Sequence, residues 1–495
     1  MGDTADHQVY DLPQEAYGLF IDGEWRGKPN RSSPATSPAT EEVIGTVTMG
    51  TEEDVSDAVV AATEAQQDLA AMTAFERAEL VHELADAINS EADDLAMWLS
   101  ADQGKPLTEA KIEVDLAVEM YRDAAENVKR AGGETIPAAD PDTRVFTLRE
   151  PHGVYGVITP WNYPLTIPSE YLAPGLGVGN AIVWVPAPTT SVFSVKLVEV
   201  LAETGLPDGA LNLVTGEGPV VGEAVVKHGG TDAVGFTGSP ETGELVARNA
   251  GAKPTLLELG GNGPVIVLDD ADIEHAAETV AGGCFTNAGQ ICTASERILV
   301  HEDVHEPFRE QLLEHTKEVT LGHPLSEATD MGPLNNESVA KKMDAHVEDA
   351  VSKGATLLHG GERSTQLPGN LYYQPTVLDD VTTDMVTNEA ETFGPIAPII
   401  TFSDYDEAID IANGIDLGLS CGVFTESVSK MYRFAEQIHA GLININEGSA
   451  HWETHTPVGG HSKTDSGVGR IGGQYTIDEM SQVKNVTVNI DSTPK

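Results

Sequence analysis

The chain has 495 residues, of which 40% are hydrophobic, so it can bury a large core and lacks the composition of a disordered protein. A net charge of -51, from 79 acidic against 28 basic residues, excludes nucleic acid and anionic lipid as partners. No run approaches the ~18 apolar residues of a membrane span, and three cysteines cannot make a disulfide framework and fit a reducing cytoplasm.

The start, Met1-Gly2-Asp3-Thr4-Ala5-Asp6, is acidic and has neither the basic nor the apolar region of a signal peptide. Its Met1-Gly2 is discarded as a lipidation signal because Asp6 stands where that pattern needs Ser or Thr. Residues 53–100 and 111–131 carry apolar residues at helical spacing, and Gly132-Gly133 ends the second stretch before a strand at Val145–Leu148. From about 153 the pattern alternates. Apolar strands at 154–158, 181–185, 211–214 and 233–236 are interleaved with helices at 191–203, 219–228 and 241–250, which predicts a parallel sheet covered on both faces. A second α/β series runs from about 265 to 460, with strands at 265–268, 298–300, 373–378, 396–402 and 422–424. The tail, 481–488, alternates like an exposed strand with no obvious partner in its own domain, so it could add to another subunit's sheet. Acidic residues are spread through all of these segments rather than gathered in one tail, which points to a salt-adapted protein more than to a cation-binding face.

Cys292, in Gly289-Gln290-Ile291-Cys292-Thr293, is the one thiol with a polar, turn-like neighbourhood; Cys284 and Cys421 read as buried small hydrophobes. Glu258 ends an apolar run and precedes Gly260-Gly261, a place where a carboxylate can reach a cleft and activate water. Asn162, in the turn Pro160-Trp161-Asn162-Tyr163-Pro164, offers a rigid amide donor to a developing oxyanion, although a lone Asn in a turn is more commonly structural. Two glycine-rich turns, 215–222 and 236–243, follow strands and open helices, as a pyrophosphate site requires. The literal Gly467-Val468-Gly469-Arg470-Ile471-Gly472 string follows polar residues instead and is treated as a chance match in a loop. His451, His455 and His461 share a loop with Glu453, but their spacing matches no metal site, and none is assigned.

In order, the segments around Asn162, Gly238, Glu258, Cys292, Glu391-Thr392-Phe393-Gly394-Pro395 and Pro457-Val458-Gly459-Gly460 resemble the aldehyde dehydrogenase superfamily, over about residues 18 to 488. The resemblance implies an α/β fold with a Rossmann-type cofactor domain (1–128 and 147–257), an α/β catalytic domain (258–470) and a small β oligomerisation arm (129–146 and 471–495). It implies NAD or NADP as cofactor and a homodimer or homotetramer. It implies that Cys292 attacks an aldehyde, that Asn162 and the Cys292 backbone N–H hold the oxyanion, and that Glu258 activates water to hydrolyse the thioester. The cofactor surface would comprise Thr159, Pro160, Trp161, Gly218, Pro219, Gly222, Phe236, Gly238, Ser239, Gly243, Leu259, Glu391 and Phe393. Tyr163, Ile291, Thr293 and Trp452 would line the substrate pocket.

Three departures from the family pattern stand out. Val185-Pro186-Ala187-Pro188 replaces the usual Lys-Pro-x-Glu, which removes both a cation that attracts and an anion that repels a 2′-phosphate. The two losses oppose each other and leave the choice of NAD or NADP open. Asn262 stands where lysine is common, and the 461–466 stretch is slightly longer than usual. A CoA-acylating semialdehyde dehydrogenase is the rival enzyme, disfavoured by Glu258, which such an enzyme does not need. A non-catalytic protein on the same scaffold is the rival from another class.

Overall fold

The computed structural model describes residues 12–490; the reading of the acidic start and the last residues of the expected arm lie outside them. Two large sheets organise the chain. The first has eight strands in the order Gly467–Val468, Thr255–Leu259, Ala233–Gly238, Val154–Ile158, Ala181–Val185, Leu211–Leu213, Leu19–Ile21, Glu24–Arg26. Its five central strands are parallel, and antiparallel strands close both edges. The chain winds outward from Val154–Ile158 in one direction, then returns to its other side. Ligands bind outside the carboxyl ends of strands at such a reversal. The second sheet has seven strands, parallel except for its edge strand Thr356–His359, and holds its own apolar core.

The interior strands are continuous apolar runs because both of their faces are covered. Ala181–Val185 is buried at every position, and Trp184 donates its indole N–H to Thr159 Oγ1 at 2.9 Å. Helices Glu52–Ala71 and Ala74–Ser90 open on capping boxes, Thr51 with Asp54 and Thr73 with Glu76, which satisfy donors that a helix start leaves free. Among the described residues, no helix is long and apolar enough to cross a membrane.

Two expectations need correction. The tail strand Ser481–Asn489 has a partner in its own chain: it pairs antiparallel with Thr143–Pro151 along its whole length, in a three-stranded sheet completed by Thr135–Ile136. The two strands lie more than 300 residues apart, so no local pattern reveals the pairing. Gly467-Val468 is not merely loop but a short strand against Thr255–Leu259, with Gly467 opposite Glu258. Only glycine fits there: its φ is +131°, and a Cβ would sit 2.1 Å from the Leu257 carbonyl oxygen.

Candidate active site

Three neighbouring strands of the first sheet deliver their carboxyl ends to one place. Val154–Ile158 leads into Thr159–Asn162, Ala233–Gly238 into Ser239, and Thr255–Leu259 carries Glu258. The loop before Arg297–His301 of the second sheet brings Cys292 to the same point. Gly261 makes this approach possible, since a Cβ there would lie 2.2 Å from the Cys292 carbonyl oxygen.

Cys292 sits where two cavities meet. One, of about 380 Å³, is walled by Pro160, Trp161, Gly238, Ser239, Leu259, Lys342, Glu391 and Phe393. The other, of about 300 Å³, is walled by Tyr163, Glu170, Ile291, Thr293, Trp452 and apolar neighbours. Asn162, Glu258 and Cys292 line both. Asn162 Nδ2 donates to the Gln290 carbonyl at 3.1 Å, which leaves its second N–H available. Among the described residues its buried Oδ1 has no hydrogen-bond partner, and neither has Glu258 Oε1. Buried polar atoms are normally satisfied, and exceptions of this kind mark places where a ligand or water is received.

The site holds its protons tightly. Burial raises the Cys292 thiol well above its usual range, and Glu391, Glu170 and Glu258 add to the effect. Glu258 is raised by burial first and by Glu170 second, against a smaller opposing pull from Arg470. Glu391 rises to about 7 through burial, offset by Lys342 and by the Gly261 N–H that it accepts at 3.1 Å.

A buried polar network fixes the two loops that flank the thiol. Lys105 Nζ meets Glu113 Oε2 at 2.5 Å and donates to the Asn162 carbonyl at 3.1 Å. Glu113 Oε1 accepts the N–H groups of Leu165 and Thr166. Asn287, held in the left-handed region with Ala288 just before the thiol loop, donates to the Asn162 carbonyl at 3.0 Å and accepts from Gln103. Glu109, pushed up to about 7 by burial, accepts the Asn287 N–H. On the side of the first cavity, Glu296 accepts the N–H groups of Thr392 and Phe393 and so positions the turn that carries Phe393 at a φ of +59°. None of Lys105, Glu109, Glu113, Glu296 or Lys342 stands out in the sequence, because a lone charge gives no local signal of its distant partner.

The remaining candidates divide by location. Tyr163, Ile291, Thr293 and Trp452 all face the second cavity. Pro160, Trp161, Gly238, Ser239, Leu259, Glu391 and Phe393 face the first, where Trp161 and Phe393 meet edge to face at 5.5 Å. Thr159 is turned into the core by its bond to Trp184, Phe236 is buried, and Gly243 packs its helix against Leu259. Gly218, Pro219 and Gly222 form a separate helical turn away from the thiol cavities, and the first two are exposed. In the histidine loop, His455 lies 3.3 Å from Glu453, whereas His461 stacks on His439.

The first cavity also suits a dinucleotide. Ser239 caps the helix Pro240–Ala250, whose positive end faces the same cleft. Glu391 keeps one carboxylate oxygen without a hydrogen bond among the described residues.

Comparison with known proteins agrees with this geometry. The Aldehyde dehydrogenase family model matches residues 25–486. Alpha-ketoglutaric semialdehyde dehydrogenase of Bacillus subtilis (strain 168) is 39% identical over 482 residues, covering 96% of this chain and 98% of that protein. An NAD-dependent aldehyde dehydrogenase from Sinorhizobium meliloti superposes with a TM-score of 0.95 at 35% identity, covering 100% of this chain and 98% of that one. An NADP dependent enzyme of E. coli superposes with a TM-score of 0.93 at 33% identity, covering 96% and 98%. With a thiol, an amide and a carboxyl group converging where two cavities meet, the chain belongs to the aldehyde dehydrogenase family, enzymes that oxidise aldehydes with NAD or NADP.

Proposed function

We propose that Cys292 is the nucleophile, Asn162 the oxyanion donor and Glu258 the base that activates water, in a hydrolytic aldehyde dehydrogenase. The observation that carries this reading is that these three side chains alone bring thiol, amide and carboxyl chemistry to both cavities at their junction. Glu258 takes the Cys292 thiol proton and passes it on to solvent, the thiolate sulfur bonds to the aldehyde carbon, and the carbonyl π pair moves onto oxygen as the oxyanion of a thiohemiacetal. The free N–H of Asn162 and the Cys292 backbone N–H stabilise the oxyanion. NAD(P), when bound, supplies the hydride acceptor. Glu258 then takes a proton from water that attacks the thioester, releasing the acid and the thiol. Pro160, Trp161, Gly238, Ser239, Leu259, Glu391 and Phe393 would hold the nicotinamide half of the cofactor, with Gly218, Pro219 and Gly222 farther along it. Thr159, Phe236 and Gly243 would shape the cleft from behind. Tyr163, Ile291, Thr293 and Trp452 would enclose the aldehyde.

Assay of the purified protein for NAD(P)H together with free acid tests this reading. Acyl-CoA formed only when CoA is present would favour the acylating rival. Absence of reduction with either cofactor across a broad aldehyde panel in molar salt would favour a non-catalytic scaffold.

The raised Glu258 and Cys292 set the pH dependence. Both hold protons further up the pH scale than free side chains, so their basic forms grow as pH rises. We expect kcat/KM to rise with pH beyond the range in which a free carboxyl titrates, and Glu258→Gln to remove the part of that limb contributed by the carboxyl. A profile that falls as pH rises beyond that range would contradict the assignment.

We further propose that residues 1–128 and 147–257 serve the cofactor, 258–470 the chemistry, and 129–146 with 471–495 an oligomerisation arm. Exposed Ile136, Leu148, Val483 and Val488 on the three-stranded sheet support a homodimer or homotetramer. Unpaired Cys284 and Cys421 in the core fit a reducing cytoplasm. The charge of -51 fits a high-salt cell. Raising KCl from about 0.1 to 2 M shortens the screening length from about 10 Å to below 3 Å. Salt over this range should raise the thermal midpoint by several degrees, and an indifferent or falling midpoint would remove the salt-adapted reading.

A further inference from the structure

The second cavity contains one charged side chain that the proposed chemistry does not use. Glu170 lies on the helix Thr166–Val178, one turn after Thr166, and these two residues and Ile167 face the cavity together. Its carboxyl makes no hydrogen bond or ion pair among the described residues. It also borders a neighbouring pocket that it shares with Trp452, Val458 and Ile471 and that Asp123 enters from the far side. No lysine, arginine or histidine lines either space. Lys105 is committed to Glu113. Arg470 acts on Glu258 from outside the cavity wall, with Nη1 donating to the Gly469 carbonyl.

Resting on the dehydrogenase reading above, we propose that Glu170 sets substrate charge: the site takes aldehydes whose far end is cationic or neutral and turns away aldehydes bearing a carboxylate. An anionic tail entering this cavity would lose its hydration with no lysine or arginine on the lining to compensate it, and would oppose ionisation of Glu258 and Glu170. An ammonium tail meets the Glu170 carboxyl instead, on a lining that also includes Trp452. Burial pushes Glu170 up to about 8, so the cavity keeps this carboxyl largely protonated at neutral pH, and an ammonium beside it would stabilise the carboxylate and draw off that proton. The aldehyde named for the Bacillus relative bears a carboxylate, which is the kind of compound this cavity would turn away.

The test compares three aldehydes of one chain length whose far carbon bears an ammonium, a methyl or a carboxylate group. We expect kcat/KM to be highest for the ammonium compound and lowest for the carboxylate. Glu170→Gln should lower the ammonium-to-methyl ratio by about ten- to a hundredfold. Glu170→Lys should reverse the order of the two charged compounds. The whole series is run at low and at molar salt. Attraction by the overall negative charge of the protein is screened away in salt, whereas a contact inside the cavity persists.

Preference for the carboxylate compound in the unmodified enzyme, or a charge ratio untouched by Glu170→Gln, overturns the proposal. The unmodified enzyme's own order decides the matter if a variant does not fold. Oxidation of the methyl compound without the predicted charge order refutes this inference alone, while failure to oxidise any aldehyde refutes the dehydrogenase reading beneath it.

Discussion

Cys292→Ala will reduce turnover of aldehyde by a factor on the order of 10⁴ or more, because among the described residues no other thiol lines the two cavities and the Thr237 hydroxyl is engaged with the Tyr171 hydroxyl. The protein will remain folded, since the thiol makes no side-chain hydrogen bond that supports either sheet. A dinucleotide should still bind, as Cys292 is one of many residues lining its cleft and alanine leaves the others in place. Cofactor fluorescence titration and thermal melting therefore separate lost chemistry from lost structure. Retention of turnover in a folded Cys292→Ala variant would falsify the mechanism outright. Cys284→Ala serves as the control: that thiol is buried, donates to the Ser295 carbonyl at 3.2 Å and lines neither cavity.

Lys105→Met will destabilise the protein by about 3–5 kcal/mol, the cost of leaving a buried charge without its partner. Each side chain of the Lys105–Glu113 pair is 1% exposed, so water cannot replace the lost ammonium. The double variant Lys105→Met with Glu113→Gln should recover part of the loss. It removes both charges and leaves the amide oxygen of residue 113 to accept from the Leu165 and Thr166 N–H groups. Urea unfolding midpoints of the two singles and the double give the coupling energy. The pair also fixes the carbonyl of Asn162, so the single variant should lose kcat more than apparent substrate affinity. A Lys105→Met protein within ~1 kcal/mol of the parent would show that the network is ornamental.

The strands that cross the interior of a covered sheet were legible because burial on both faces demands an unbroken apolar run. Val154–Ile158, Ala181–Val185 and Ile396–Phe402 have the bounds that their sequences suggest. The run at 373–378 instead yields a strand at Thr376–Asp379, with Tyr373 forming only an isolated bridge to Arg363. Helices of the second series, such as Ile273–Phe285 and Glu337–Lys353, escaped notice beside the strands they cover.

For the site, Cys292, Glu258 and Asn162 carry weak signals singly, and it is their order along the chain that identifies them. The supporting network has no such signature. Its contacts link Lys105 to a carbonyl 57 residues away and Gln103 to Asn287 across 184 residues. Charges of this kind read as solvated until the fold encloses them. Glu170 is the same case, one acid in an otherwise apolar helix. Lys342 differs only in sitting on a helix rich in charge, where it has no reason to be singled out.

The edges of the eight-stranded sheet have a consequence for biosynthesis. One edge is supplied by residues 19–26 and the other by Gly467–Val468. During translation the strand bearing Glu258 therefore emerges long before its outer neighbour exists, and its backbone donors and acceptors stay open while some two hundred further residues are made. An open strand edge invites pairing with another nascent chain. Release of a chain shortened before Gly467 would leave that edge permanently bare, so premature termination in this region is expected to yield inclusion bodies rather than a soluble, partly active product.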